Sequence, residues 1–188
     1  MNQDNHHYQD LITIFNRCFF DNYNTRLERG GDYPIYLPAF SLEGGIKCER
    51  PYHVILFAHG FYSSALHEIA HWLVAGKARR ELEDFGYWYE PDGRSAERQR
   101  EFEQVEVKPQ AIEWILAMAA NFRYFTSADN LTGNVGDNSA FKQAVYQQVR
   151  HYAEHGLPKR AEILRQALAE FYHTSNKIEL EKFDIHRI

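Results

Sequence analysis

Leu11, Ile12, Phe15, Cys18 and Phe19 recur at three- and four-residue intervals, so residues 8–20 are predicted to form an amphipathic helix that opens the fold. Glycine, proline and charge break this pattern from residue 22 to 50, which reads as loop apart from a short strand over residues 34–37. The run Val54-Ile55-Leu56-Phe57 has no polar alternation and ends at His59-Gly60. Residues 53–58 are therefore predicted as a strand buried on both faces at the centre of a sheet. Helical periodicity returns over residues 62–75 at Leu66, Ile69, Ala70, Leu73 and Val74, with Ser63 or Ser64 near the start and Gly76 as the stop. Residues 85–89, Phe-Gly-Tyr-Trp-Tyr, read as strand, and a charged stretch follows to Glu106. A second core helix is predicted from about Lys108, with Pro109 in its first turn and Ile112, Ile115, Leu116 and Ala119 on one stripe. Residues 129–138 are rich in Asn, Gly and Asp and read as loop. Two more amphipathic helices, residues 140–152 and 159–172, are split by Gly156 and Pro158.

The 188 residues contain no internal repeat and no linker long enough to separate two cores, so residues 1–188 are expected to form a single domain. A hydrophobic content of 44% with 25% charged residues places the chain among ordinary globular proteins and excludes disorder. The net charge of -5 excludes a general basic footprint, so direct nucleic-acid binding is not expected. No apolar run approaches the roughly 20 residues that span a bilayer, and the first residues are too polar for a signal peptide. The reading is a cytoplasmic protein without a membrane segment, in which Cys18 and Cys48 stay reduced. Ten histidines stand out and direct attention to metal-ligand spacing.

His67-Glu68-Ile69-Ala70-His71 has that spacing. Residues four apart share one face of a helix, so both imidazoles can reach one cation, while Glu68 lies on the flank where it can take a proton from metal-bound water. The same five residues also occur in plain core helices, where each histidine bonds a backbone carbonyl. Here Leu66, Ile69, Ala70 and Trp72 make the host turns apolar, and a shared cation would satisfy two buried imidazoles at once. No histidine lies between His71 and His151, so the third ligand is expected to be a carboxylate. Glu106, between Val105 and Val107, is the first choice. Glu103 is second, because Glu101 and Glu103 sit among Arg98, Arg100 and Gln104.

Two histidines and one carboxylate suit catalytic zinc and non-haem Fe(II) alike. One reading is a metal-dependent hydroxylase. The alternative is a zinc-dependent hydrolase, a peptidase or nuclease with Glu68 as general base. A third is a non-catalytic adaptor. From Glu81 to Glu106 there are nine acidic residues against three arginines, a field that suits a cationic guest.

The stretches Phe57-Ala58-His59-Gly60-Phe61-Tyr62, His67 to Trp72, Gly76-Lys77-Ala78-Arg79-Arg80-Glu81-Leu82, Asp84 to Tyr89 and Val105-Glu106-Val107-Lys108-Pro109-Gln110-Ala111 together resemble the bacterial elongation factor P hydroxylase family. The similarity runs from the opening helix to Phe171-Tyr172-His173-Thr174. It implies an α+β, zincin-like fold similar to the metal-dependent ribonuclease YbeY, a small sheet packed against several helices. It further implies His67, His71 and Glu106 as metal ligands, with Glu68 handling a proton or supporting the ligands. The implied cofactor is a divalent metal, Fe(II), with dioxygen as co-substrate and no electron donor named. The implied partner is elongation factor P carrying β-lysyl-lysine. Arg79, Arg80, Tyr62 and Trp72 are expected to serve packing and helix ends.

Overall fold

The computed structural model describes residues 6–41, 49–83, 95–126 and 138–188. Five α-helices and a three-stranded sheet occur among them: α1 (Tyr8–Tyr23), β1 (Thr25–Arg29), β2 (Ile35–Leu37), β3 (His53–Phe57), α2 (Tyr62–Val74), α3 (Ala96–Ala119), α4 (Ser139–His155) and α5 (Lys159–Phe171). This is an α+β arrangement. The strand expected over residues 85–89 and most of the loop expected over 129–138 lie outside the described residues. No described helix is long and apolar enough to cross a membrane.

The sheet order is β1-β3-β2, with β3 central as its unbroken apolar run predicts. β1 pairs with β3 in parallel, Leu27 opposite Ile55, and β2 pairs with it antiparallel, Tyr36 opposite Ile55. Leu27, Ile55 and Phe57 lie on the main core with Leu11, Ile14, Phe15 and Phe19 of α1, and the opposite side keeps only Ile35, Leu37 and Val54. β1 corrects the expectation of loop in this region. Only Thr25 and Leu27 of Thr-Arg-Leu-Glu-Arg are buried, so the strand exists because β3 offers it an edge.

The second correction concerns α3, which begins at Ala96 and runs for 24 residues rather than starting near Lys108. Ser95 caps it by accepting a hydrogen bond from the Arg98 amide at 3.3 Å. Pro109 consequently lies deep inside the helix, where it withholds one rung of the backbone ladder, instead of in the first turn. Glu106 is therefore a mid-helix residue. From Ala111 to Ala119 the C-terminal half of α3 is almost wholly buried and packs on α2, α4 and α5.

Candidate metal centre

The strand-to-helix turn after β3 aims α2. His59 (φ 57°) and Gly60 (φ 71°) both adopt the left-handed conformation, so the chain reverses within two residues and enters the helix at Tyr62. A side chain at Gly60 would be strained and would also stand 3.0 Å from Nε of Arg29. Tyr62, Leu66, Ile69, Ala70 and Leu73 bury one side of α2, which leaves His67 and His71 on the flank facing α3. At the far end Arg80 donates to the Ala75 carbonyl at 2.7 Å and Arg160 of α5 donates to Leu73 and Ala75 at 3.2 and 2.5 Å. These guanidiniums satisfy the open carbonyls of α2, the helix-end role expected for Arg80. Trp72 packs among Phe15, Phe19 and Tyr23, as expected of a core residue.

His67, His71 and Glu106 converge, with one ligand atom from each lying within 4.8 Å of the others. The two Nε2 atoms are 3.1 Å apart, Nε2 of His71 is 3.2 Å from Oε1 of Glu106, and Nε2 of His67 is 3.9 Å from Oε2. Two ligands each about 2.1 Å from one cation stand roughly 3.0–3.4 Å apart, so the first two separations match a shared coordination shell. Glu103 does not join the cluster; it is hydrogen-bonded to Gln99 on the exposed half of α3.

Behind His67 and Glu106 lies a layer that fixes their orientation. Nδ1 of His67 donates to Oε2 of Glu113 at 2.9 Å, which points Nε2 toward the centre. Glu106, only 2% exposed, accepts from the Gln110 amide at 3.3 Å, and Gln110 accepts from the Tyr124 hydroxyl at 2.9 Å. Two imidazole nitrogens and one ionised carboxylate, with supporting bonds behind His67 and Glu106, form a donor set that fits a divalent cation.

The charges agree. Burial opposes a charged His67, yet the Glu113 carboxylate, with Glu106 and Glu68 behind it, outweighs burial and pushes its pKa up to about 10. Burial also opposes ionisation of Glu106, but His71, His67 and the Gln110 amide hold it down at about 2. Glu68 goes the other way, its carboxyl raised by burial more than the histidines lower it. Burial, with Glu113 and Glu106 adding to it, keeps the Tyr124 phenol protonated and therefore a donor.

A cleft of about 790 Å³ opens onto this centre, with His67, Glu68 and Glu113 in its lining. Aromatic residues from three segments form its walls: Tyr33, Phe61 with Tyr62, and Phe122 with Tyr124 and Phe125. The acids facing it are Asp32, Glu68 and Glu113, and none of the nine acids between Glu81 and Glu106 other than Glu106 itself belongs to the centre among the described residues. These acids come from the β1–β2 connection, α2 and the later part of α3, and Arg123, 4.4 Å over the Phe125 ring, stands in the same lining as a counter-charge. Glu113, Gln110 and Tyr124 were not singled out by the sequence reading. The signal for Gln110 and Glu113 is their spacing of four and seven residues from Glu106 along one helix face, visible only if α3 is known to start well before Glu106.

The fold and the site define an α+β protein with a candidate centre of two histidines and one carboxylate at the base of an aromatic cleft. A family model described as elongation factor P hydroxylase matches residues 14–183. A protein of Haemophilus influenzae named elongation factor P lysine hydroxylase is 69% identical over 180 residues, which cover 96% of this chain and 97% of that protein. The chain belongs to the elongation factor P hydroxylase family.

Proposed function

We propose that this protein hydroxylates a lysine of elongation factor P, the one extended by a β-lysyl group, with Fe(II) held by His67, His71 and Glu106 and dioxygen as co-substrate. The observation that carries this reading is the convergence of those three side chains beside a cleft that His67 lines, in a chain of this family. When bound, the cation supplies the activation of dioxygen. In the balanced reaction one C–H bond of the arm becomes C–O–H and the second oxygen atom leaves as water. Two electrons and two protons enter from a donor outside the chain.

The chain's own residues do the rest. Glu113 holds His67 in the tautomer that points Nε2 inward, and Gln110 with Tyr124 holds the Glu106 carboxylate in place. Glu68, with its carboxyl raised by burial, takes up or releases a proton at the cleft floor. The aromatic walls exclude water from the reacting carbon, and Asp32, Glu68 and Glu113 favour a cationic arm. We read residues 1–188 as one domain in the cytoplasm, with α2 under a small sheet in a zincin-like or YbeY-like manner.

The test is reconstitution. Protein purified without oxygen and loaded with Fe(II) is given β-lysylated factor, a reductant and air, and intact mass is followed. A gain of one oxygen atom with Fe(II) and none with Zn(II) is expected. Turnover of a peptide or nucleic acid with Zn(II) in the absence of oxygen, with no gain of oxygen under any metal, would instead support the hydrolase.

A further inference from the structure

Three of the large apolar side chains that the fold leaves in water surround the mouth of the cleft. Tyr33 is 65% exposed, Phe61 61% and Phe125 52%. They come from segments distant in sequence: the β1–β2 connection, the turn into α2 and the chain leaving α3. None is needed by the core, and the left-handed pair His59-Gly60 sets Phe61 outward as the residue immediately before α2. Strain of this kind is retained where something other than packing depends on it.

Resting on the proposed function, we propose that this aromatic rim is the docking surface for the body of elongation factor P around its modified lysine. The occupant follows from reach and charge. A lysine with a β-lysyl extension is roughly 15 Å long from Cα to its far amine when extended. A carbon within that arm reaches the centre when the surface of the factor lies across the cleft mouth, against Tyr33, Phe61 and Phe125. Arg123 already covers the Phe125 ring at 4.4 Å, so the cation threaded past the rim is drawn by the acids inside, Asp32, Glu68 and Glu113. A partner so placed covers the aromatic rim, which is the composition of an interface centre rather than of an ordinary surface.

Calorimetry of metal-loaded enzyme with β-lysylated elongation factor P, kept without oxygen so that no turnover occurs, tests this. Tyr33→Ser, Phe61→Ser and Phe125→Ser should each weaken binding by about fivefold or more, and the triple variant by about 100-fold. Phe40→Ser and Phe171→Ser alter exposed aromatics outside the cleft lining and should bind as the wild type does. Should the triple variant fail to fold, the single variants decide. Binding within twofold of wild type for the rim variants, or equal losses in the two controls, overturns the docking surface. The wild type's own oxygen transfer separates the two claims. If it adds oxygen to the factor while the rim variants bind normally, the docking surface falls alone; if it neither binds nor oxidises the factor, both fall.

Discussion

Replacing Glu113 by Gln removes a charge from the centre without removing a hydrogen-bond acceptor. The Glu113 carboxylate lies 2.9 Å from Nδ1 of His67, and the width of the imidazole plus a ligand bond puts it roughly 7 Å from a cation on Nε2. A dication and a carboxylate at that separation attract by on the order of 5 kcal/mol at an effective dielectric near 20. The amide is cheaper to bury and still accepts from Nδ1, so the net loss expected is about tenfold to 100-fold in metal affinity. Glu113→Ala should lose more, because Nδ1–H is then left without an acceptor and the tautomer is no longer held. Competition against a fluorescent chelator at fixed pH reads both variants, with Glu103→Gln as the control expected to match wild type. Wild-type affinity in both Glu113 variants would refute the argument that this carboxylate orients His67.

His67→Ala, His71→Ala and Glu106→Gln should each lose stoichiometric metal while keeping a cooperative thermal transition; full occupancy in any of them removes that residue from the ligand set. Glu68→Gln should retain metal and lower oxygen transfer by about tenfold, whereas a hydrolase would be almost silenced, so measured turnover divides the two chemistries. In chelator-treated protein His67, raised to about 10 from an ordinary 6.5, contributes stability that is complete below pH 6.5 and lost as pH rises toward 10. Glu106, held near 2, contributes stability that is present above pH 4.5 and lost as pH falls toward 2. Thermal unfolding of metal-free protein should therefore fall off on both sides of pH 4.5–6.5, and a flat profile through pH 9 would contradict the His67 pairing.

The parts of the site that the sequence reveals are those built from local pattern. His67 and His71 are four residues apart on a helix whose apolar stripe is unambiguous, and β3 announces itself by an unbroken run of large apolar residues. Glu106 is legible because its two valine neighbours set it apart from the solvated glutamates before it. Glu113 is not. From Ala96 to Glu101 α3 carries no large apolar residue, so no stripe marks its start, and without that start Glu106 and Glu113 are not recognisable as one face. β1 escapes for a related reason: Arg26, Glu28 and Arg29 hide two buried positions in a segment whose pairing with β3 is decided across the fold. Tyr124 lies beyond the helix and reaches Gln110 only through the tertiary path of the chain.

If this chain adds oxygen to an extended lysine of elongation factor P through the centre formed by His67, His71 and Glu106, the mass of the factor in cells records it. Intact mass spectrometry of the factor from cells lacking the gene reads this. Such factor should carry β-lysyl-lysine but be lighter by one oxygen atom, restored to full mass by the wild-type gene and not by the His67→Ala version. Factor of unchanged mass in the deletion strain, or restoration by the His67→Ala protein, would contradict it.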